Sequence, residues 1–144
     1  MEAINEFFKA YAKHAVVGAP ADIAAYYDTS FIMAGPHASE AVSNDLVFLK
    51  WLGAVFSYNK KHGLQSMEVK QLDASSFGES FYNVKVTWSA VFPERSTGTT
   101  TFDIRYILRK AETGLKIICY ISEEDQARAM DEAGVITDAG ITTT

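Results

Sequence analysis

The chain has 144 residues, 48% of them apolar and 22% charged, with a formal net charge of -5. That length suits one domain with a proper core, and the absence of any Lys/Arg stripe argues against a nucleic-acid surface. No apolar run reaches the roughly 18 residues that a membrane-crossing helix needs, and one cysteine, Cys119, rules out an internal disulfide and fits a reducing compartment, with the cytoplasm as the default.

The opening segment is acidic and amphipathic, unlike a signal peptide with its basic start and apolar centre. Ile4, Phe7, Phe8, Tyr11, Ala12 and Ala15 recur at helical spacing, with Asn5, Glu6, Lys9 and Lys13 opposite. This helix stops near Gly18. Pro20 suits the first position of a second, shorter helix, in which Ile23, Tyr26 and Tyr27 share the buried side. Ser30 to Ala34 reads as a short strand ended by the Gly35-Pro36 turn.

Ser39 or Ser43 can cap a third helix that runs to about His62. Leu46, Phe48, Leu49, Trp51, Leu52, Val55 and Phe56 cover more than one narrow stripe of it, so it must touch the sheet and something else. Lys60, Lys61 and His62 suit its negative terminus, and Gly63 suits a left-handed cap.

Four long strands follow. In the first, Gln65 to Phe77, Met67 and Val69 occupy one parity, then Leu72 and Ala74 the other. A bulge near Lys70 or Gln71 explains the flip and bends the sheet. From Phe81 to Phe92, Tyr82, Val84, Val86, Trp88 and Ala90 face one way, and Asn83, Lys85, Thr87 and Ser89 the other. From Thr99 to Lys110, Phe102, Ile104, Tyr106 and Leu108 face inward, with Asp103, Arg105 and Arg109 outward. Leu115 to Ser122 is apolar on both faces and therefore central. Ser122 and the acids after it resemble the start of a terminal helix to about Ala133. The domain thus spans residues 1–134, with a tail over 135–144.

This order, helix–helix–strand–helix and then four strands, resembles the nuclear transport factor 2-like superfamily, which includes ketosteroid isomerase, scytalone dehydratase, limonene epoxide hydrolase and SnoaL-like polyketide cyclases. The resemblance runs from Ile4-Asn5-Glu6-Phe7-Phe8 through Asp22 to Tyr27 and Phe31-Ile32-Met33. It returns in the hairpin Tyr106-Ile107-Leu108 to Gly114-Leu115-Lys116-Ile117. It implies an α+β fold, a curved antiparallel sheet forming a cone-shaped half-barrel, with the N-terminal helices on the concave face. A pocket opening at one end and a homodimer are further implications. Fold alone says little about activity.

In the isomerase branch a Tyr on the first helix, seven residues before its terminal Gly, stabilises an oxyanion. Tyr11 stands so relative to Gly18. The second donor of that branch, an Asp kept neutral by an apolar site, falls here at about Tyr106, and a phenol donates without any shifted pKa. The isomerase base, an Asp just before a Pro, is lost: the stretch is Met33-Ala34-Gly35-Pro36. His14, one turn on from Tyr11, is the nearest replacement. The bland reading is that Tyr11 and Tyr106 fill the core and His14 flanks it.

Tyr27, Trp51, Trp88 and Phe102 are the candidate lining of a ligand pocket, with core filling as the alternative. Asp103 and Arg105 read as an exposed or interface pair, Asp73 as a surface acid and His37 as a loop residue. His14, His37 and His62 lack ligand spacing, so no metal is expected, and no motif calls for a cofactor. The first functional expectation is therefore a binding domain for a small apolar or aromatic molecule, without catalysis. The second is a lyase, isomerase or cyclase acting on a carbonyl or phenolic compound through Tyr11, His14 and Tyr106. The third is a protein-interaction or dimerisation module working through the outer sheet face.

Overall fold

The computed structural model describes residues 2–93 and 99–123. The expected terminal helix to Ala133, the tail from 135, and most of the Pro93–Gly98 turn lie outside the described residues.

Helix α1 (Glu2–Val17) buries Ile4, Phe8, Tyr11 and Ala12, the apolar side of the expected pattern. The residue after it, Gly18, is glycine for a steric reason. The Gly18 N–H donates to the His14 carbonyl at 2.9 Å, and a Cβ there would lie 2.6 Å from that same oxygen. Helix α2 (Pro20–Ala24) is shorter than the sequence pattern implied. Tyr26 and Tyr27 lie beyond it, and Tyr27 already belongs to strand β1 (Tyr27–Ala34).

The largest departure comes next. Ser39–Ser43 is strand β2, not the start of a helix. It pairs antiparallel with β1 and buries only Val42, so its polar edge carries no strand signature. Helix α3 (Leu46–Lys61) is capped by Asp45 rather than by Ser39 or Ser43. One Asp45 carboxylate oxygen accepts the Val47 N–H at 3.0 Å and the Phe48 N–H at 3.3 Å, which satisfies two of the unpaired amides of the first turn. Gly63, with φ 75°, closes the far end as expected.

Strands β3 (Ser66–Phe77), β4 (Phe81–Val91), β5 (Thr99–Ala111) and β6 (Gly114–Ser122) complete a six-stranded sheet of order β2-β1-β6-β5-β4-β3. The sheet is curved and unclosed, with N-terminal helices, the α+β arrangement expected. It is mixed rather than wholly antiparallel: β1 runs parallel to β6. The last of these strands enters the middle of the sheet, parallel to β1 on one side and antiparallel to β5 on the other. Its double-sided apolar character follows from that central place.

The β3 bulge falls where the parity flip required it. Val69 pairs with Trp88 and Gln71 with Thr87, leaving Lys70 unpaired. Met67 and Val69 before the bulge therefore share a face with Leu72 and Ala74 after it. The concave face is the core: Val84, Val86, Trp88, Ile104, Tyr106, Leu108 and Ile117 are all sealed from solvent. Fully burying each such side chain is worth roughly 1.5–3 kcal/mol.

Candidate functional site

Strand alternation brings Trp88 and Tyr106 to one side of the sheet, and α1 lays Phe8 and Tyr11 against them. The Trp88 indole N–H donates to the Tyr106 hydroxyl at 3.1 Å. The Tyr11 and Tyr27 hydroxyls share a hydrogen bond of 2.9 Å. Ring centroids lie 4.7 Å apart for Phe8 and Tyr106, 5.7 Å for Tyr11 and Trp88, and 6.3 Å for Tyr11 and Tyr106. The two phenols singled out from the sequence thus do converge, and Tyr27 and Trp88 join them.

Burial governs their acidity. It pushes Tyr11 up to about 12, against the opposing pull of hydrogen bonds with Tyr27 and Tyr106. Burial likewise raises Tyr27 and Tyr106 well above the ordinary phenol value, and charge repulsion from Tyr11 and Tyr120 adds to both. At neutral pH all three are uncharged hydroxyls, able to donate but not to act as bases. No polar side-chain atom buried among the described residues lacks a partner.

His14 is half-buried, and its Nδ1 lies 2.7 Å from the Tyr26 hydroxyl. Tyr26 packs against Tyr11 with ring centroids 5.4 Å apart, so the imidazole meets the aromatic cluster through Tyr26. Burial, then the Asp22 carboxylate, raises the Tyr26 phenol. Of the four candidate pocket residues, Tyr27 and Trp88 are closed within the core, while Trp51 and Phe102 are half-buried against it. Trp51 stacks on Phe48 at 6.4 Å.

A groove of about 480 Å³ opens between α1 and β3. Its walls include Lys9 and Ala12 from the helix and Met67, Val69, Lys70 and Leu72 from the strand. None of Tyr27, Trp51, Trp88 and Phe102 is among its lining residues. The signal that could have located it was the bulge, which lets apolar residues on either side of Lys70 look the same way.

Sequence spacing also gave no hint of a polar tie on the convex side. The Arg109 guanidinium grips one Asp28 carboxylate oxygen, from Nε at 2.8 Å and Nη2 at 2.7 Å. Burial works to raise the Asp28 carboxyl, but the Thr29 amide and Arg109 outweigh it and hold the group below its ordinary value. Nearby, the Asn44 side-chain amide donates to the carbonyls of Ala24, Tyr27 and Asp28, and Lys116 Nζ donates to that of Ala25 at 2.7 Å. Asp103 is exposed, as anticipated, but its partners are Thr87 at 2.6 Å and Lys85 at 3.9 Å. Asp73 is a surface acid bonded to Gln71. Among the described residues no group of three or more His, Cys, Asp and Glu could hold a metal ion, and no helix is long and apolar enough to cross a membrane.

An aromatic-filled concave face under N-terminal helices, with the last strand threaded between β1 and β5, defines the class: this chain belongs to the NTF2-like protein family (DUF6841), whose model matches residues 1–125. Solved structures share the fold at low identity. An NTF2-like protein with a cystatin-like fold from Novosphingobium aromaticivorans superposes with TM-score 0.68 at 12% identity, covering 92% of this chain and 86% of that one. A cystatin-like domain of unknown function from Nostoc punctiforme gives 0.62 at 15% identity, covering 96% and 88%. A scytalone dehydratase-like protein from N. aromaticivorans gives 0.61 at 15% identity, covering 84% and 80%. No curated protein matches the sequence.

Proposed function

We propose that this chain binds a small apolar or aromatic molecule without transforming it, and that the α1–β3 groove is where the molecule lies. The observation that carries the reading is the groove itself, of about 480 Å³ with Ala12, Met67, Val69 and Leu72 in its walls. That volume is within the ordinary range for small-molecule sites. The chemistry nearby favours binding over turnover. The phenols of Tyr11, Tyr27 and Tyr106 are engaged with one another and with Trp88, and Ala34 and Gly35 stand where the isomerase branch keeps its base.

The test is a fluorescence titration with N-phenyl-1-naphthylamine, an uncharged aromatic probe that brightens in apolar surroundings. Saturable binding that Leu72→Glu and Val69→Gln each weaken at least fivefold supports the reading. Binding unchanged in both folded variants, or no binding at all, overturns it. The acid–base alternative, a lyase, isomerase or cyclase, draws support from the His14–Tyr26 hydrogen bond. It needs a ligand oxygen to displace one phenol from another, so it predicts that Tyr11→Phe and His14→Ala abolish turnover of a carbonyl or phenolic substrate.

The convex face suits a second copy. Ile32, 40% exposed, pairs with Cys119, which pairs with Ile107, and this apolar strip is continuous across three strands. A homodimer through that strip predicts a dimer mass by light scattering at high micromolar concentration and a monomer for Ile107→Glu. Cys119 in such a strip fits a reducing cytoplasm, our proposed compartment.

A further inference from the structure

The aromatic cluster meets His14 at one point, and that point differs chemically from the rest. Inside, Tyr11 and Tyr27 share a hydrogen bond of 2.9 Å, and the Trp88 N–H donates to Tyr106 at 3.1 Å. Neither pair includes a base. At the outer end, the Tyr26 hydroxyl lies 2.7 Å from His14 Nδ1, and both side chains are half-buried. With the imidazole proton on Nε2, the phenol donates to Nδ1. The rings form a continuous series from the core outward. Centroids stand 5.7 Å apart from Trp88 to Tyr11, 5.4 Å from Tyr11 to Tyr26 and 5.8 Å from Tyr26 to His14. Rings in contact pass electrons readily, and indole and phenol are the aromatic side chains most easily oxidised.

The geometry points to a redox site at Tyr26 and His14, the outlet through which an oxidised Trp88 is restored. Trp88 first loses one electron to a small-molecule radical oxidant and keeps its N–H proton in the bond to Tyr106. An electron then passes from Tyr26 by way of Tyr11, and Trp88 returns to the neutral indole. The Tyr26 O–H bond breaks in the same event. Its proton goes to His14 Nδ1, which leaves a neutral tyrosyl radical facing an imidazolium. An oxidised phenol is a strong acid, so a phenol touching a base gives up its electron more easily than one without. Tyr11, Tyr27 and Tyr106 have only hydroxyls and an indole as hydrogen-bond partners, and burial holds them protonated. The series therefore runs downhill from the core to the surface. This activity is independent of whatever the α1–β3 groove binds.

The experiment uses the Trp51→Phe chain, in which Trp88 is the only tryptophan. A laser pulse at the red edge of indole absorption ionises Trp88, methyl viologen takes up the ejected electron, and transient absorption follows the radicals. The indole radical should decay as a tyrosyl radical rises. Tyr26→Phe, which keeps the ring, should remove most of that rise. His14→Phe should slow it about a hundredfold, the low end of what a positioned base contributes. It should also abolish the slowing that deuterated solvent causes in the parent chain. Tyr82→Phe, at a ring outside the series, should change nothing. The two main substitutions act at opposite ends of one hydrogen bond, so either alone decides if the other fails to fold. No tyrosyl rise in the parent, a full rise in Tyr26→Phe, or an unchanged rate in His14→Phe would overturn the assignment.

Discussion

Helices α1 and α3 have the same length, 16 residues, and opposite fates. The first keeps its apolar residues in a stripe and buries Ile4, Phe8, Tyr11 and Ala12. The second carries bulkier apolar residues but buries only Phe48 and Leu52, leaving Leu46 74% and Val47 52% exposed. Apolar content alone therefore does not decide burial; arrangement does. A stripe can be pressed wholly onto the sheet, whereas a helix greasy around its circumference can satisfy only one side. We read α1 as a wall of the core and α3 as its rim, packed through Phe48 and Leu52.

The sharpest way to break this contrast is truncation. Phe8→Ala removes a side chain with no solvent exposure that packs against Tyr106 and Trp88, and should cost about 3–5 kcal/mol in urea unfolding. Trp51→Ala, at a half-buried site of α3, should cost about 1 kcal/mol. Equal losses would erase the distinction between wall and rim. Alkaline titration probes the buried phenols that α1 shares with the sheet. Tyr11 ionises more easily unfolded than folded, so its contribution is complete below pH 10 and fades as the pH rises towards about 12. Unfolding monitored by circular dichroism should set in over that window, and Tyr11→Phe should move it upward.

On the rim, Asp45→Ala leaves the Val47 and Phe48 amides without their cap and should cost about 1 kcal/mol. Hydrogen exchange should accelerate in α3 and not in α1. The smallest effect concerns the convex tie. The Asp28 carboxyl sits below its ordinary 3.8 in the folded chain, so its stabilisation is present above that value and is lost as pH falls beneath it. The Arg109 side chain is 42% exposed, which limits the effect to less than about 1 kcal/mol. Asp28→Asn should flatten that part of the stability profile relative to wild type.

Much of the fold could be read from the chain because strand parity is unforgiving. Val84 to Phe92 and Ile104 to Leu108 alternate so cleanly that Trp88 and Tyr106 could be placed on one face, and Met67, Val69, Leu72 and Ala74 betray the bulge. Strand β2 was not legible: Ser39-Glu40-Ala41-Val42-Ser43 buries one residue and borders two plausible caps, so local chemistry pointed to a helix. The parallel pairing of β1 with β6 depends on where the chain returns, which no local period records. At the site, the resemblance to the isomerase branch implied the convergence of Tyr11 and Tyr106, and strand parity placed Tyr106 on the inner face. The His14–Tyr26 and Asp28–Arg109 contacts did not, because side chains 12 and 81 residues apart meet only once the sheet has set their positions.

The threading of β6 between β1 and β5 has a consequence for how this protein is made. During synthesis from the N-terminus, β1 leaves the ribosome long before the strand that will lie beside it, and the gap is filled only by residues 114–122. Until then β1 and β2 can form only a lone hairpin, which is marginal in water, while β3, β4 and β5 can zip together as a meander. Folding should therefore wait on the last strand and proceed slowly for a chain of this size, with a ribosome-stalled product ending before Gly114 remaining open to proteases across its first third.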